Sequence, residues 1–318
     1  MSAPQINKEY LHQRHNIIKP FIHNTPILTS AFFNKVASSE LYFKCENFQK
    51  MGAFKMRGAT NAMASLTDEQ KSRGVVTHSS GNFAQAVALS ARSMGITAYI
   101  VMPENAPAVK KAAVKGYGGI VIECESTAIA RENKAAEIEA EKRATFLHPS
   151  NDLDVIIGQG TAAMELLEVH PDLDYILAPV GGGGLIAGTC LACEYLGEHT
   201  RAIGVEPENV DDAYRSLRSG QIEKNHDSES TTIADGLRTF LGDINFPIIQ
   251  AYIDRILLVS EDEIVSTLRD VYERMKIIIE PSCAVPLAGL LRNKELFKDK
   301  KVGIILSGGN VDVTNLPF

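Results

Sequence analysis

The chain has 318 residues, 45% hydrophobic and 22% charged, a balance that permits a sizeable core and excludes disordered and fibrous classes. Its formal net charge of −7, with no block of Lys and Arg, argues against nucleic acid as the main partner and for a small molecule, because neutralising phosphates needs clustered cations.

The N-terminal MSAPQINKEYLHQRHN lacks an apolar segment behind basic residues, and no later apolar run is long enough to span a bilayer, so a cytosolic location is expected. Further on, β-rich runs alternate with helical patterns: GVVTHSS then FAQAVALSARSMG, TAYIVMP then APAVKKAAVKGYG, YILAPV then LIAGTCLACEYLG, and then RAIGVE, RILLVS and VGIILS. This alternation predicts βαβ units and so an α/β fold of mainly parallel open sheets flanked by helices. The units from about Val75 to Pro149 form a set of their own, which predicts two lobes: residues 1–74 with 150–318, and a smaller one of 75–149 inserted between them. No flexible linker or repeat separates the lobes, so they should pack around a cleft, where ligands usually sit. Cys45, Cys124, Cys190, Cys193 and Cys283 show no disulfide spacing, which suits a reducing compartment. Cys190 and Cys193 form a CxxC inside an Ala- and Leu-rich helical stretch with no second ligand pair, and they read as packing residues.

Val180 is followed by Gly181, Gly182, Gly183, Gly184 and Leu185, between an apolar strand and a helix. Backbone N–H groups there converge on one spot, absent side chains let an anion approach, and the helix dipole favours it, so a phosphate is the natural occupant. Gly182, Gly184 and Ala187 also match the G-x-G-x-x-A dinucleotide fingerprint, with Glu206 ending the next strand at the distance of a ribose-binding acid. Taken alone, the loop leaves a nicotinamide enzyme open.

Three further segments point elsewhere: K-C-E-N-F-Q-K-M-G-A-F-K-M-R-G-A from Lys44 to Ala59, S-S-G-N-F-A-Q-A from Ser79 to Ala86, and S-G-G-N from Ser307 to Asn310. With the tetraglycine, this ordered set resembles the fold-type II pyridoxal-phosphate enzymes, from Thr25-Pro26 to the last residues. Within them it is most similar to serine racemases and threo-3-hydroxyaspartate dehydratases, which share the E-P-x-N-x-D-D stretch at Glu206 to Asp212. Biosynthetic threonine dehydratases resemble it too but carry a regulatory domain, which a chain ending at Phe318 is expected to lack.

The resemblance implies that Lys55 holds pyridoxal phosphate and moves the α-proton, a task that needs a deprotonated amine and hence a pKa lowered by burial. It implies that Gly181 to Gly184 with Leu185 take the phosphate, that Asn82 meets the ring hydroxyl, and that Ser307 faces the pyridine nitrogen. A neutral hydroxyl does not hold that nitrogen protonated, which suits loss of a β-hydroxyl or simple reprotonation better than transamination. Ser79, Ser80 and Asn82 are expected to grip the substrate carboxylate at the N-terminus of a helix starting near Phe83. Ser80 is also expected to serve the face opposite Lys55, as a racemase requires; its alternative role is helix capping. Phe83 stands where the racemases usually have His, and an aromatic ring relays no protons. Glu206, the Val210 carbonyl and Asp212 match a divalent-cation site, and oxygen ligands suit magnesium, manganese or calcium. Lys50, Gln85, Tyr117 and Asn310 match an ATP site at a subunit interface, in which Ala31 replaces a serine. A homodimer follows from the same resemblance. The expected activity is serine racemisation with β-elimination of water and ammonia. Alternatives are a dedicated hydroxyaspartate or threonine dehydratase, a non-catalytic vitamin-binding protein and a nicotinamide oxidoreductase.

Overall fold

The computed structural model describes residues 5–225 and 231–318. Among these described residues ten strands build two sheets. The larger holds β1 (Ile27–Leu28), β2 (Glu40–Cys45), β7 (Tyr175–Pro179), β8 (Arg201–Pro207), β9 (Ile253–Val259) and β10 (Lys301–Leu306), in the order β1-β2-β10-β7-β8-β9. Only β1 with β2 is antiparallel. The smaller sheet, wholly parallel, holds β3 (Val75–His78), β4 (Ala98–Pro103), β5 (Ile120–Cys124) and β6 (Thr145–Phe146) in the order β5-β4-β3-β6.

The central strands are apolar through most of their length because helices cover both faces. Along β7, Ile176 and Ala178 pack into one cluster beneath helices Leu153–Val169 and Gly184–Leu196. Leu177 between them packs into a second cluster beneath helices Glu261–Met275 and Pro281–Arg292. The period-two alternation of a strand thus divides its side chains between two cores. In the small sheet, Ile100 and Met102 face helices Lys55–Ser65 and Asn82–Met94, and Val76 and Val101 face helix Ala128–Lys142.

Helices Leu153–Val169 and Gly184–Leu196 approach so closely that a Cβ at Gly160 or at Gly188 would collide with the backbone of the other. Gly58 lies equally close to the first of them, where a Cβ would come within 2.8 Å of the Val155 carbonyl oxygen. Small residues therefore stack the helix that carries Lys55 on the one that supports the tetraglycine helix. Cys190 and Cys193 are buried in that packing. Among the described residues no helix is long and apolar enough to cross a membrane.

Candidate active site

Lys55 is the first residue of helix Lys55–Ser65, which follows an irregular segment containing Met51 and Gly52, both with positive φ. An isolated bridge between Ala53 and Gly308 and a bond from Phe54 N–H to the Ser307 carbonyl, 3.0 Å, bring the S-G-G-N segment beside the lysine. The Lys55 amine donates to the Pro149 carbonyl at 2.7 Å. It also lies 5.0 Å from the Phe54 ring centroid and 5.7 Å from that of Phe83. Burial lowers its pKa to about 8, with Glu280 opposing, so a useful fraction of the amine is free near neutral pH. The aromatic at position 83 is buried and offers the amine a ring face, a packing role in place of a proton relay.

Helix Asn82–Met94 begins one residue before Phe83, and its N-cap, Gly81, has no side-chain capping bond. Ser79 accepts from Gly81 N–H at 3.4 Å, while the Ser80 hydroxyl caps nothing. Both serines are half-buried. The Asn82 amide nitrogen donates to the Glu280 carboxylate at 3.0 and 3.1 Å, and its oxygen accepts from Asn310 Nδ2 at 2.8 Å. Asn310 also donates to the Met51 carbonyl. Glu280 is 8% exposed, and burial pushes its carboxyl up to about 7, with Asn82 opposing.

The tetraglycine leaves β7 and enters helix Gly184–Leu196, with Gly183 at φ 80°. Added Cβ atoms would meet Leu237 Cα at 2.8 Å from Gly181, Ser150 Oγ at 2.5 Å from Gly182, Asn245 Oδ1 at 2.8 Å from Gly183 and Gln159 Oε1 at 2.6 Å from Gly184. Only glycine fits all four places, and the first N–H groups of the helix have no partner within it. Ser307 is buried, with its hydroxyl near the Cys283 thiol. A bare N–H cradle, a lysine of lowered pKa and a buried serine just past the neighbouring strand β10 fit a phosphorylated aldehyde cofactor.

Glu206 and Asp212, both fully buried, lie at the end of β8 and the start of helix Asp212–Ser219. Glu206 accepts the N–H groups of Ala213 at 3.2 Å and Tyr214 at 2.9 Å, so it caps that helix and does not reach toward a ribose. Asp212 Oδ1 accepts from Asn225 Nδ2 at 2.6 Å, but Oδ2 is buried and has no donor among the described residues. Burial raises both carboxyls, Asp212 to about 7, and for Glu206 the nearby Asp212 charge adds to the rise. An orphaned buried oxygen beside a second buried carboxylate fits a cation. No group of three or more His, Cys, Asp or Glu with metal-holding geometry occurs among the described residues, so such a site would complete its shell with the Val210 carbonyl and water. Val210 is buried in the short turn Glu208–Val210. Of the residues matched to ATP, Lys50 opens the turn Lys50–Gly52, Gln85 lies on helix Asn82–Met94, Tyr117 ends helix Ala108–Gly116, and Asn310 is bonded to Asn82; Ala31 begins helix Ala31–Ala37.

Sequence reasoning missed Glu280, the Pro149 carbonyl, Gln159 and Asn245. The one available signal was Glu280 directly before Pro281 at a helix start, where an acid would ordinarily be read as a solvated first-turn charge.

Two sheets joined at a lysine, a glycine cradle and a buried serine define a cofactor enzyme of the fold-type II class, and the chain matches the family "Pyridoxal-phosphate dependent enzyme" over residues 18–308. It belongs to that family. It is 49% identical to the serine racemase of Dictyostelium discoideum, covering 96% of this chain and 94% of that protein, and 47% identical to the beta-hydroxyaspartate dehydratase of Paracoccus denitrificans, covering 96% of each. The crystal structure of the Dictyostelium discoideum enzyme superposes with a TM-score of 0.92 at 48% identity, covering 97% of this chain and 99% of that one. Pyridoxal phosphate is the family's cofactor, and a nicotinamide enzyme and a non-catalytic binder are set aside.

Proposed function

We propose that the chain is a serine racemase that also dehydrates serine, the water lost in the elimination being regained when ammonia is released, so that serine gives pyruvate and ammonia. The observation that carries this reading is Lys55: its amine has a pKa lowered to about 8 and lies 5.7 Å from the ring centroid of Phe83, in the first turn of the helix that Ser80 precedes. Its similarity to a racemase along nearly the full chain supports it. When bound, pyridoxal phosphate acidifies the α-proton of an amino acid by drawing its electrons into the ring. Lys55 tethers the cofactor and, once freed, takes or returns a proton on one face of Cα; Ser80 serves the other face. Ser79, Ser80 and Asn82, with the N–H groups of their helix start, hold the carboxylate. Gly181 to Gly184 and Leu185 hold the phosphate, and Ser307 meets the pyridine nitrogen as a neutral donor. Residues 75–149 act as the substrate-gripping lobe.

Glu206, the Val210 carbonyl and Asp212 hold magnesium, manganese or calcium. Lys50, Gln85, Tyr117 and Asn310 contribute to an ATP site in a cytoplasmic homodimer. A second reading, a dedicated 3-hydroxyaspartate dehydratase, is favoured by the 47% identity to the Paracoccus denitrificans enzyme. The test is Ser80→Ala, assayed for pyruvate and for inversion from each serine enantiomer, with cofactor occupancy followed by absorbance. Inversion should fall far more than elimination from L-serine, and elimination from D-serine should fall as well. Equal losses everywhere would reduce Ser80 to substrate positioning. A wild-type enzyme that never inverts serine but dehydrates 3-hydroxyaspartate would establish the second reading.

A further inference from the structure

His148 belongs to none of the motifs that carry the cofactor, yet its ring organises the segment that receives the lysine. Its Nδ1 accepts the backbone N–H of Ser150 at 3.2 Å and of Asn151 at 2.7 Å. The turn closed in this way presents the Pro149 carbonyl to Lys55 Nζ at 2.7 Å, and Gln159 Nε2 donates to the same carbonyl at 3.2 Å. The next carbonyl, of Ser150, accepts at 3.1 Å from Asn245 Nδ2, which also donates to the Gly182 carbonyl at 2.9 Å. One short turn therefore touches both the amine and the glycine cradle.

The ring accepts two N–H groups only in the tautomer that carries its hydrogen on Nε2, and protonating Nδ1 would aim a third N–H at two donors. Its surroundings agree with that requirement. Burial, His78 and Lys55 depress its pKa to about 4, with Asp243 alone opposing. His78 and Phe146 pack edge-on against it, with centroids 6.4 and 6.3 Å away.

We propose that His148 is a positioning residue whose Nδ1 lone pair fixes the Pro149–Asn151 turn, so that the Pro149 carbonyl receives the Lys55 amine whenever it is not bound to the cofactor. That carbonyl takes one N–H of the amine and so restricts where its lone pair can point. The inference rests on the reading of Lys55 as the cofactor lysine.

Two substitutions separate acceptor from ring. His148→Asn puts a carbonyl oxygen where Nδ1 stood, a group that closes such turns readily, while His148→Phe keeps the ring and removes the acceptor. With the purified full chain stripped of cofactor, the rate and pH midpoint of the absorption change are followed as free pyridoxal phosphate attaches to Lys55. Melting temperatures serve as the check on folding. The Asn variant should stay within about twofold of wild type. The Phe variant should slow by roughly tenfold, the loss equivalent to one hydrogen bond, with a displaced midpoint and a near-normal melting temperature. A Phe variant that matches wild type, or an Asn variant as slow as Phe, overturns the proposal. If the Phe variant does not fold, hydrogen exchange in wild type decides: protected Ser150 and Asn151 amides are expected, and exchange at loop rates overturns it. A wild-type absorption change that survives Lys55→Ala would sink the lysine assignment itself, and is distinguished by appearing before any change at His148.

Discussion

Two buried groups of charge outside the lysine site differ in one respect among the described residues: only one of them is balanced. Around Arg57, two carboxylates meet two cations. Glu46 receives Arg57 at 2.7 and 2.8 Å, and Glu165 receives it at 2.9 and 2.7 Å and Lys44 at 2.7 Å. Thr25, Thr161 and His15 complete the set of bonds. Around Asp212, two carboxylates meet helix N–H groups and one amide, and one oxygen has no donor among the described residues. A low-dielectric interior tolerates the first arrangement because every charge has a bonded partner, whereas in the second no cation among the described residues bonds either carboxyl, and burial raises both toward the neutral form. Closure marks a structural element, and imbalance marks a place for a ligand.

Breaking the closed group should have the largest effect. Arg57→Met leaves Glu46 and Glu165 facing Lys44 alone, and removing one member of a buried ionic set costs about 3–5 kcal/mol. Urea unfolding of the variant should show that loss, and a change under about 1 kcal/mol would mean the network relaxes. Its pH signature has a definite sign. Burial raises the Glu165 carboxyl, but His15 and Arg57 outweigh that and hold it well below 4.5. A depressed carboxyl contributes stability that is complete above its unfolded pKa and lost as pH falls through the folded one. Acid unfolding below about pH 4.5 should therefore flatten in Glu165→Gln; an unchanged slope would assign the acid lability elsewhere.

The open group should show a smaller effect that depends on metal. A cation bound only by the folded state stabilises it by about 2.7 kcal/mol at a hundred times its dissociation constant. Melting curves should rise with added magnesium, manganese or calcium and fall with chelator. Curves that coincide across all these conditions would mean that no cation binds.

The two groups were unequally legible in the sequence. Glu206 and Asp212 lie six positions apart in one stretch that matches a metal-site pattern, so they could be named. Glu165, His15 and Lys44 come from three distant segments that meet only in the fold. The same division runs through the active site. Lys55, the tetraglycine and Ser307 sit in contiguous motifs, while Glu280 and His148 act through partners such as Asn82 that are far away in sequence or through the backbone. Among strands, the apolar central ones were visible by pattern. The strand Ile120–Cys124, at a sheet edge and largely exposed or half-buried, carried no such signal.

The smallest change should be the most discriminating. Asp212→Asn removes one negative charge but keeps the volume and leaves Glu206 free to cap helix Asp212–Ser219 through Ala213 and Tyr214. Without metal, the wild-type pair places a second carboxylate against the first, which raises the Glu206 carboxyl; the substitution relieves that repulsion and loses only the bond from Asn225 to a charged acceptor. The two terms oppose each other, each on the order of 1–3 kcal/mol, so the chelated variant should melt within a few degrees of chelated wild type. With metal the comparison reverses, because the variant has lost an anionic ligand and wild type gains the whole binding energy. Melting temperature measured with and without chelator on both proteins gives the four values needed. A variant that is as metal-responsive as wild type would show that Asp212 is not a ligand. A chelated variant that unfolds far below chelated wild type would show that the open group is structural after all, held like the Arg57 network by bonds within the chain.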